Sequence, residues 1–219
     1  MEGYKTGQKT REHTLRICRK LFYEKGYRET SFGEICQEAE VNPGTISYHF
    51  KGKTKIAQTI YAEIMYTYQQ RLKELFPDLD DLEFTLLCIS VHVKFLYEDY
   101  GYRRFISQMG TDCLKEFQED QYKTLSPAAY RYLQAQLDPE KFDFVVTASV
   151  GYDGLISAYI SRNIDTLPFE KAVHYISELY LYFMNYEVLK PHIDHVLEMT
   201  QNLNVRCKNF DITIHLKCK

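Results

Sequence analysis

A cluster of side chains between residues 45 and 53 could bind nucleic acid. Thr45, Ser47, Tyr48 and His49 fall within five consecutive positions. They offer hydroxyl groups and flat rings that donate or accept hydrogen bonds, as contacts to bases and phosphates require. Lys53 follows, where its ammonium group and the free N–H groups of a helix start could bind a phosphate together. An exposed helix end without a partner would carry the same residue types, so the elements around the cluster decide the interpretation.

The pattern around this cluster predicts three helices followed by a long one. Apolar residues share one helical face over residues 9–25, and Gly26 ends that helix. A capping box at Ser31 opens a second, short helix, and a third covers residues 43–50. The fourth runs from about residue 53 to residue 76. The second and third helices and the tight turn between them form a helix-turn-helix, whose second helix would lie in the DNA major groove.

Charge is distributed unevenly along the chain. Residues 1–55 hold 11 Lys and Arg against 7 Asp and Glu, a net charge of +4, whereas residues 56–219 hold 16 against 23, a net charge of −7. This bias suggests that only the N-terminal part meets a polyanion, although a solvated surface could show the same bias. We therefore predict a helix-turn-helix domain at residues 1–55 and a larger helical domain at residues 56–219, with a C-terminal extension from about residue 191.

The composition argues against several other classes of protein. The 219 residues are 45% apolar and 26% charged, close to globular usage. The sequence has neither a run of about 18 apolar residues nor an apolar signal core, so we expect a soluble cytoplasmic protein that does not enter a membrane. None of the six cysteines forms a Cys-x-x-Cys pair, which favours reduced thiols. No nucleophile–base pair, phosphate-binding loop or metal-ligand set indicates an enzyme or a cofactor.

An ordered run of landmarks resembles the N-terminal signature of the TetR/AcrR transcriptional regulators. It comprises residues 21–27 (LFYEKGY), Thr30, Ser31, Ile35 and residues 41–53 (VNPGTISYHFKGK). The resemblance covers roughly residues 9–60. It implies an all-α, Ω-like homodimer with an N-terminal three-helix DNA-binding domain and a larger C-terminal helical domain for ligand binding and dimerisation. Most members of this family are repressors that a small ligand releases from DNA.

The resemblance also implies which residues meet DNA. These are Thr30, Ser31, Asn42, Pro43, Gly44, Thr45, Ser47, Tyr48, His49 and Lys53. Three positions depart from the family pattern. Glu40 stands where glycine usually allows a left-handed backbone, Ser47 replaces the first residue of an aromatic pair, and Gly33 stands where some members have an arginine that reaches a base. Specificity would then depend more on the third helix itself.

The body is predicted to be helical over residues 79–100, 102–117, 127–137, 139–162 and 168–189, with Pro191 as the last stop. Its final two long helices carry a strip of small residues and an apolar band, and the resemblance implies that this pair packs against its twin in a dimer. The predicted interface residues are Gly151, Gly154, Ala158, Ile176, Tyr180 and Phe183. The alternative is that both faces are buried inside one subunit.

Aromatic residues of the body could line a ligand pocket, because such pockets are mainly apolar with a few polar groups. The candidates are His92, Phe95, Phe105, Met109, Tyr130 and Tyr152. Plain core packing is the competing interpretation for each of them. No charged cluster indicates which small molecule would bind.

The C-terminal extension offers weaker patterns. Residues 211–216 alternate polar and apolar side chains, which is typical of a short strand. Cys207 and Cys218 could be exposed thiols. His192 and His195 lie three residues apart, with Glu198 three further on, but two histidines and a carboxylate are too few to predict a metal site.

The helix-turn-helix pattern and the charge distribution predict a sequence-specific DNA-binding regulator. The resemblance implies that it is a homodimeric repressor, which a small-molecule effector releases from a palindromic double-stranded DNA operator. An activator or a non-allosteric DNA-binding protein is the alternative, and a helical protein that only binds a small molecule is a more distant one. The salt dependence of DNA binding would discriminate between them, because phosphate contacts release counterions and weaken steeply with salt.

Overall fold

The computed structural model describes residues 2–113, 123–182 and 186–217 of the chain. These residues are mostly helical, as predicted, and a two-stranded antiparallel hairpin follows the last helix. The helices are α1 (Glu2–Glu24), α2 (Phe32–Glu38), α3 (Pro43–Phe50), α4 (Lys53–Leu75), α5 (Asp81–Glu98), α6 (Tyr100–Cys113), α7 (Pro127–Gln136), α8 (Pro139–Asn163), α9 (Phe169–Tyr180) and α10 (Tyr186–Gln201). The strands are β1 (Leu203–Lys208) and β2 (Asp211–Leu216). Within these ranges, no helix is long and apolar enough to cross a membrane.

Helices α1, α2 and α3 and the start of α4 form the N-terminal head. Its core contains Cys18 and Phe22 from α1, Ile35 from α2, Ile46 from α3 and Ile56 from α4, all of them buried. Helix α1 begins several residues earlier than predicted. Helix α4 passes through the predicted domain boundary at residue 55 without interruption, so it physically connects the head to the body.

Side-chain caps explain where α2 and α3 begin. The Ser31 hydroxyl accepts a hydrogen bond from the Glu34 N–H at 3.1 Å, and the Asn42 side chain accepts one from the Thr45 N–H at 2.8 Å. Each cap satisfies a backbone donor that a helix start otherwise leaves open. Pro43 occupies the first position of α3, where no backbone donor is needed.

The turn between α2 and α3 has the left-handed backbone that the family pattern implies. Glu40 has a φ of 52°. The Glu40 N–H donates to the Gln37 carbonyl at 3.2 Å, and the Val41 N–H donates to the Cys36 carbonyl at 3.0 Å. This pair of bonds defines a Schellman motif. The turn therefore keeps its usual geometry although a glutamate stands where glycine has the lowest steric cost.

Helix α5 lies at the centre of the body. It packs against α7, α9 and α10, and Leu86, Leu87 and Val91 are fully buried. Helix α6 packs along α8 and also contacts α1 and α4. Because of these contacts, α6 joins the body to the head alongside the continuous helix α4.

Two predicted helix ends in the body are wrong. Residues 168–189 are predicted as one helix, but α9 ends at Tyr180 and α10 begins at Tyr186. Pro191 is predicted to end a helix, but it lies inside α10. Proline removes one backbone donor, and α10 continues because its apolar side is buried against the body, as Leu189 and Ile193 show. Residues 114–117, the end of another predicted helix, lie outside the described residues.

The hairpin confirms the predicted strand at residues 211–216 and adds β1, which no sequence pattern predicts. Its pairing runs from Leu203 opposite Leu216 to Lys208 opposite Asp211. The buried face packs against α4, α5 and α6. Cys207 lies on that face, so the prediction of an exposed thiol is wrong, and burial raises its pKa. Cys218 lies outside the described residues.

Candidate nucleic-acid interface

Helix α3 exposes the side chains that are predicted to contact bases. Ile46 and Phe50, four positions apart, are buried and fix the inner face of the helix. Ser47 and Tyr48 lie on the outer face, and Tyr48 is 84% exposed, more than any other large apolar side chain in the described part of the chain. A tyrosine in this position presents both a ring and a hydroxyl group to whatever approaches α3.

The tip of α3 is held by its cap. The Asn42 side-chain oxygen accepts hydrogen bonds from both the N–H and the hydroxyl of Thr45, at 2.8 Å and 3.1 Å. Pro43 and Gly44 are exposed beside it. A Cβ atom at Gly44 would lie 3.2 Å from the Asn42 oxygen. The glycine therefore leaves room for the cap and keeps the backbone of the tip accessible to a phosphate.

His49 connects the outer face of α3 to the start of α1. Its ring lies 5.0 Å from the Tyr48 ring in an edge-to-face arrangement. A Cβ atom at Gly7 would lie 3.7 Å from the His49 ring. The Arg11 guanidinium lies 5.1 Å from the centre of the Phe50 ring. The N-terminal turns of α1 thus lie beside the C-terminal end of α3.

Two predicted DNA contacts point into the head instead. Thr30 is fully buried, and its hydroxyl donates to the Gly26 carbonyl at 2.8 Å. The Lys53 ammonium donates to the carbonyls of Tyr27 and Thr30 at 2.8 Å and 2.9 Å, and it lies 4.2 Å from the centre of the Tyr27 ring. The prediction that Thr30 meets DNA is therefore wrong. Lys53 stabilises the corner between α1 and α2 rather than facing solvent at the start of α4.

Ser31 remains at the surface of the head, where its hydroxyl serves as the α2 cap described above. Next to it, a Cβ atom at Gly33 would meet no heavy atom within 4 Å. The first turn of α2 is therefore open, and the residues that could contact a base directly are those of α3.

Two lysines are missing from the predicted set of contacts. Lys51, directly after α3, and Lys55, in the first turn of α4, are both exposed. The first turn of α4 holds no acidic residue, so this corner is positively charged. The only sequence feature that indicates these lysines is the excess of basic residues in positions 1–55. Only the structure separates the lysines that can reach a phosphate from those bound internally.

A polar network joins the head to α6. The Arg28 guanidinium donates two hydrogen bonds of 2.8 Å to Asp112. The Gln108 side-chain amide donates to both carboxylate oxygens of Glu29, at 3.1 Å and 2.8 Å. The hydrogen bond from Gln108 is the main cause that lowers the pKa of Glu29, and the one to Asp112 raises the pKa of Arg28. These bonds link the corner after α1 to the body.

Tyr23, near the end of α1, reaches furthest into the body. Its hydroxyl donates to Asp99 at 2.8 Å, and its carbonyl accepts a hydrogen bond of 2.7 Å from Arg104. A Cβ atom at Gly101 would lie only 2.6 Å from the Tyr23 ring, so this close approach requires glycine. Burial is the main cause that raises the pKa of the Tyr23 hydroxyl, and the bond to Asp99 adds to it.

The predicted dimer residues do not share one free face. Ile176 is buried inside the subunit, where α9 packs against α5, so its assignment to a dimer interface is wrong. Ala158 and Tyr180 are half-buried. Gly151 and Gly154 lie in α8, but their surroundings are not described, and Phe183 lies outside the described residues. The exposed large apolar side chains of this region are Phe144, Leu155, Tyr159, Tyr175, Leu179 and Tyr182.

Most of the predicted pocket residues pack within the hydrophobic core, which contains Phe95, Phe105, Met109 and Tyr130. His92 and Phe95 both contact Tyr102, through a hydrogen bond of 2.8 Å and a ring distance of 5.4 Å respectively. Phe105 lies at the junction with α1, and Tyr130 packs edge-to-face on Phe142. Met109 is fully buried, and the Tyr152 side chain lies outside the described residues. Core packing accounts for Phe95, Phe105 and Tyr130, so a pocket that they share remains a prediction.

An open cavity of about 280 Å³ lies elsewhere in the body. Its lining residues are Lys94, Tyr97, Glu98, Phe169, Gln201 and Lys217. Lys94 is largely buried, which lowers the pKa of its ammonium group, and it donates to the Thr200 carbonyl at 3.0 Å. None of the predicted pocket residues lines this cavity.

The histidines of α10 face α5 rather than Glu198. The Nδ1 atoms of His192 and His195 lie 3.6 Å and 3.3 Å from the same carboxylate oxygen of Glu83. Across the described ranges, no group of three His, Cys, Asp or Glu side chains is arranged to hold a metal ion. We therefore assign no metal role to this pair.

The head and its exposed helix form a helix-turn-helix, and comparisons with known proteins show which proteins resemble it. Residues 17–60 match the family described as "Bacterial regulatory proteins, tetR family". The chain is 26% identical to the HTH-type transcriptional regulator UidR of Escherichia coli K12 over 102 residues, which are 47% of this chain and 50% of UidR. It is 41% identical to the HTH-type transcriptional regulator AcrR of Shigella flexneri over 54 residues, 25% of each protein. These matches span half of the curated relatives or less.

Solved structures share the fold over most of the chain. RolR, solved in complex with its ligand resorcinol, has a TM-score of 0.58 at 16% identity, over 90% of this chain and 95% of RolR. A TetR-family transcriptional regulator from Pectobacterium atrosepticum has a TM-score of 0.53 at 18% identity, over 84% and 94%. Residues 17–60 are therefore similar to the N-terminal domain of the tetR family, and the likeness to these solved structures shows the fold. The curated relatives named above are both HTH-type transcriptional regulators.

Proposed function

We propose that the chain is a sequence-specific DNA-binding transcriptional regulator, a homodimeric repressor that a small molecule releases from a palindromic operator. The observation that carries this proposal is the outer face of α3, where Tyr48 stays exposed while Ile46 and Phe50 fix the opposite face in the core. An activator, or a DNA-binding protein without ligand control, would use the same face.

In this proposal the N-terminal half of α3 enters the major groove. Thr45, Ser47 and Tyr48 contact base edges, since hydroxyl groups can donate to or accept from them. Lys51 and Lys55 contact phosphates on either side of the groove and set the position of the head. The strength of binding should then fall steeply with salt, because each neutralised phosphate releases counterions.

The exposed apolar stripe on α8 and α9 supports a dimer. Leu155 and Tyr159 are four positions apart on α8, while Tyr175 and Leu179 are four apart on α9, so each pair lies on one side of its helix. Contiguous apolar stripes of this kind mark interaction surfaces. A two-fold pairing through them would make a four-helix interface and give the protein two heads, as binding to two half-sites requires.

A ligand would act by a population shift. DNA binds best to the dimer whose α3 helices are separated by about 34–36 Å, the distance between consecutive major grooves. A small molecule that binds better to a dimer with another separation would weaken DNA binding, and DNA would weaken ligand binding by the same factor. RolR, which was solved in complex with resorcinol, is the precedent for a small-molecule ligand in a protein of this fold.

The experiment that tests the DNA-binding role is a selection from random duplex DNA with the purified full chain at moderate salt. An enriched inverted repeat, with half-site centres about one helical turn apart, would support a dimeric regulator. Weak binding without any enriched sequence would overturn it.

Two exposed tyrosines provide a matched pair of variants for the selected operator. Tyr48→Ala should weaken binding about tenfold or more, the effect of a lost base contact. Tyr66→Ala changes a tyrosine that is 66% exposed on α4, and it should bind as the parent does. If Tyr48→Ala binds with parental affinity, α3 does not read the operator.

The dimer is tested separately by sedimentation equilibrium. Tyr175→Glu places a charge on the α9 stripe and should raise the dimer dissociation constant by about a hundredfold, because a buried unpaired charge opposes association. Val188→Glu makes the same change at an exposed position of α10 and should leave the constant unchanged. Equal behaviour of the two variants would place the interface elsewhere.

A further inference from the structure

The turn between β1 and β2 contains an unexpected residue. Asn209 and Phe210 both have left-handed backbones, with φ of 53° and 61°, as in a type I′ hairpin turn. Such turns favour Asn followed by Gly, because a side chain in this conformation meets its own backbone. A bulky aromatic residue in this region is an outlier that persists only when its surroundings hold it there.

The ring of Phe210 is held by both parts of the molecule. Although it lies at the tip of a hairpin, Phe210 is only 3% exposed. Its ring centre lies 4.6 Å from that of Phe105 in α6 and 5.4 Å from that of Tyr23 in α1. Phe105 in turn stacks on Phe22 of α1 at 5.9 Å. The hairpin tip therefore contacts the head and the body at once.

The rest of the hairpin is anchored on the body. The side chain of Arg71, in the body half of α4, donates to the Ile214 carbonyl at 3.2 Å. Val205 and Ile214 are buried on the inner face of the hairpin. At the tip, Phe210 meets the same Tyr23 ring that lies against Gly101 and whose hydroxyl bonds to Asp99. The hairpin thus carries an aromatic side chain from a fixed base into the junction.

We propose that Phe210 is a positioning residue, which the C-terminal hairpin inserts between α1 and α6 to fix the orientation of the head on the body. The contact itself is independent of what the head binds. Its consequence for DNA rests on the proposed function.

That consequence follows from the geometry of two half-sites. When a head can tilt on its body, only a fraction of the dimers holds both α3 helices at the required separation, and the apparent affinity falls by that fraction. A single half-site needs one head and does not depend on the separation. Loss of a positioning residue should therefore weaken binding to two half-sites only, whereas damage to the head weakens binding to both kinds of DNA.

The variant Phe210→Gly removes the aromatic ring and should preserve the turn. The variant has the Asn-Gly sequence that a type I′ turn prefers, so the hairpin should stay formed while the ring leaves the junction. Leu216→Ala is the control, because Leu216 is exposed at the other end of the hairpin.

Amide hydrogen exchange of the full chain tests the contact. In Phe210→Gly, the last turn of α1 and the first turn of α6 should exchange about tenfold faster or more, because the junction opens more often once an aromatic contact is lost. The amides of β1 and β2 should keep parental rates, and Leu216→Ala should behave as the parent. Parental rates in both helices of Phe210→Gly would overturn the proposal.

Binding to a selected operator tests the consequence. With two half-sites, Phe210→Gly should bind about tenfold more weakly, and with a single half-site it should stay within about twofold of the parent. An equal loss on both duplexes would overturn the positioning role. A parent protein that binds no DNA would refute the proposed function. Hydrogen exchange would still test whether Phe210 fixes α1 against α6.

A second variant covers the case in which the hairpin itself opens. Tyr23→Leu leaves the turn untouched and removes the ring on the head side. In this background Phe210→Gly should accelerate exchange in the first turn of α6 less than it does in the parent, because the two rings act through one contact. An undiminished acceleration would overturn the positioning role.

Discussion

The recognition helix and the junction between head and body use their side chains in opposite ways. On α3, Ser47 and Tyr48 point outward. At the junction, Arg28 and Glu29 are bound to partners on α6. A polar group that its own protein already satisfies has little left to offer DNA, so the same residue type has different roles in the two regions.

Lys53 and Lys55 show this contrast within one helical turn. The ammonium of Lys53 donates hydrogen bonds to two backbone carbonyls of the head. Lys55, two positions later, is exposed. Both count equally in the charge of residues 1–55, so charge alone cannot separate an internal support from a phosphate contact.

The largest expected effect is the difference in stability between variants of these two lysines. Lys53→Met should lower the free energy of unfolding by about 2 kcal/mol or more, because it removes hydrogen bonds from a charged donor to two carbonyls. Lys55→Met makes the same change on the surface and should stay within about 0.5 kcal/mol of the parent. Urea denaturation of both variants gives the comparison.

The salt dependence of DNA binding by the same two variants provides a second comparison. Lys55→Met should reduce the slope of affinity against salt by about one unit, as the loss of a phosphate contact requires. Should Lys53→Met keep the parental stability and show that reduced slope instead, the assignment of the two lysines would be reversed.

The next effect concerns the turn that precedes α3. Glu40→Gly should raise the free energy of unfolding by up to about 1 kcal/mol, because glycine adopts a φ of 52° without steric cost. Glu38→Gly, inside the exposed last turn of α2, should lower it by about 1 kcal/mol. Thermal unfolding of both variants tests this, and a loss of stability in Glu40→Gly would mean that the glutamate side chain supports the turn.

The head could be predicted from its sequence because its determinants are local. The caps at Ser31 and Asn42, the left-handed turn at Glu40 and the buried positions Ile46 and Phe50 each depend on neighbours a few residues away. Such signals are readable one segment at a time.

The junction could not be predicted because its partners are distant in the chain. Arg28 bonds to Asp112, and Tyr23 meets Phe210. Nothing in either segment indicates the other. Thr30 shows a different limit, since the resemblance implies a DNA contact while its hydroxyl donates to the Gly26 carbonyl, only four residues away, inside the head. The two apolar sides of α9 also look alike in sequence, and only packing against α5 shows that Ile176 belongs to the inner one.

A smaller effect tests the polar part of the junction. Asp112→Asn removes the charge that binds Arg28, and both side chains are partly exposed. The free energy of unfolding should fall by about 0.5 kcal/mol at low salt, and the difference should shrink as salt screens the pair. A difference that does not depend on salt would indicate that packing, not charge, dominates this contact.

The smallest effect follows from the hydrogen bond between Gln108 and Glu29. Because that bond lowers the pKa of Glu29 below its ordinary value of 4.5, the ionised carboxylate stabilises the folded chain above about pH 4.5, and this contribution is lost as the pH falls through the lower, folded-state pKa. Glu29→Gln should therefore lose less stability than the parent between pH 5 and the acid limit of folding. Paired denaturation curves at several pH values measure the difference. In a Gln108→Ala background the same substitution should make a smaller difference to the pH dependence, because the largest cause that lowers the pKa of Glu29 is gone. An undiminished difference there would assign the shift to the remaining causes, which are a backbone hydrogen bond and the nearby cations Arg104 and Arg28.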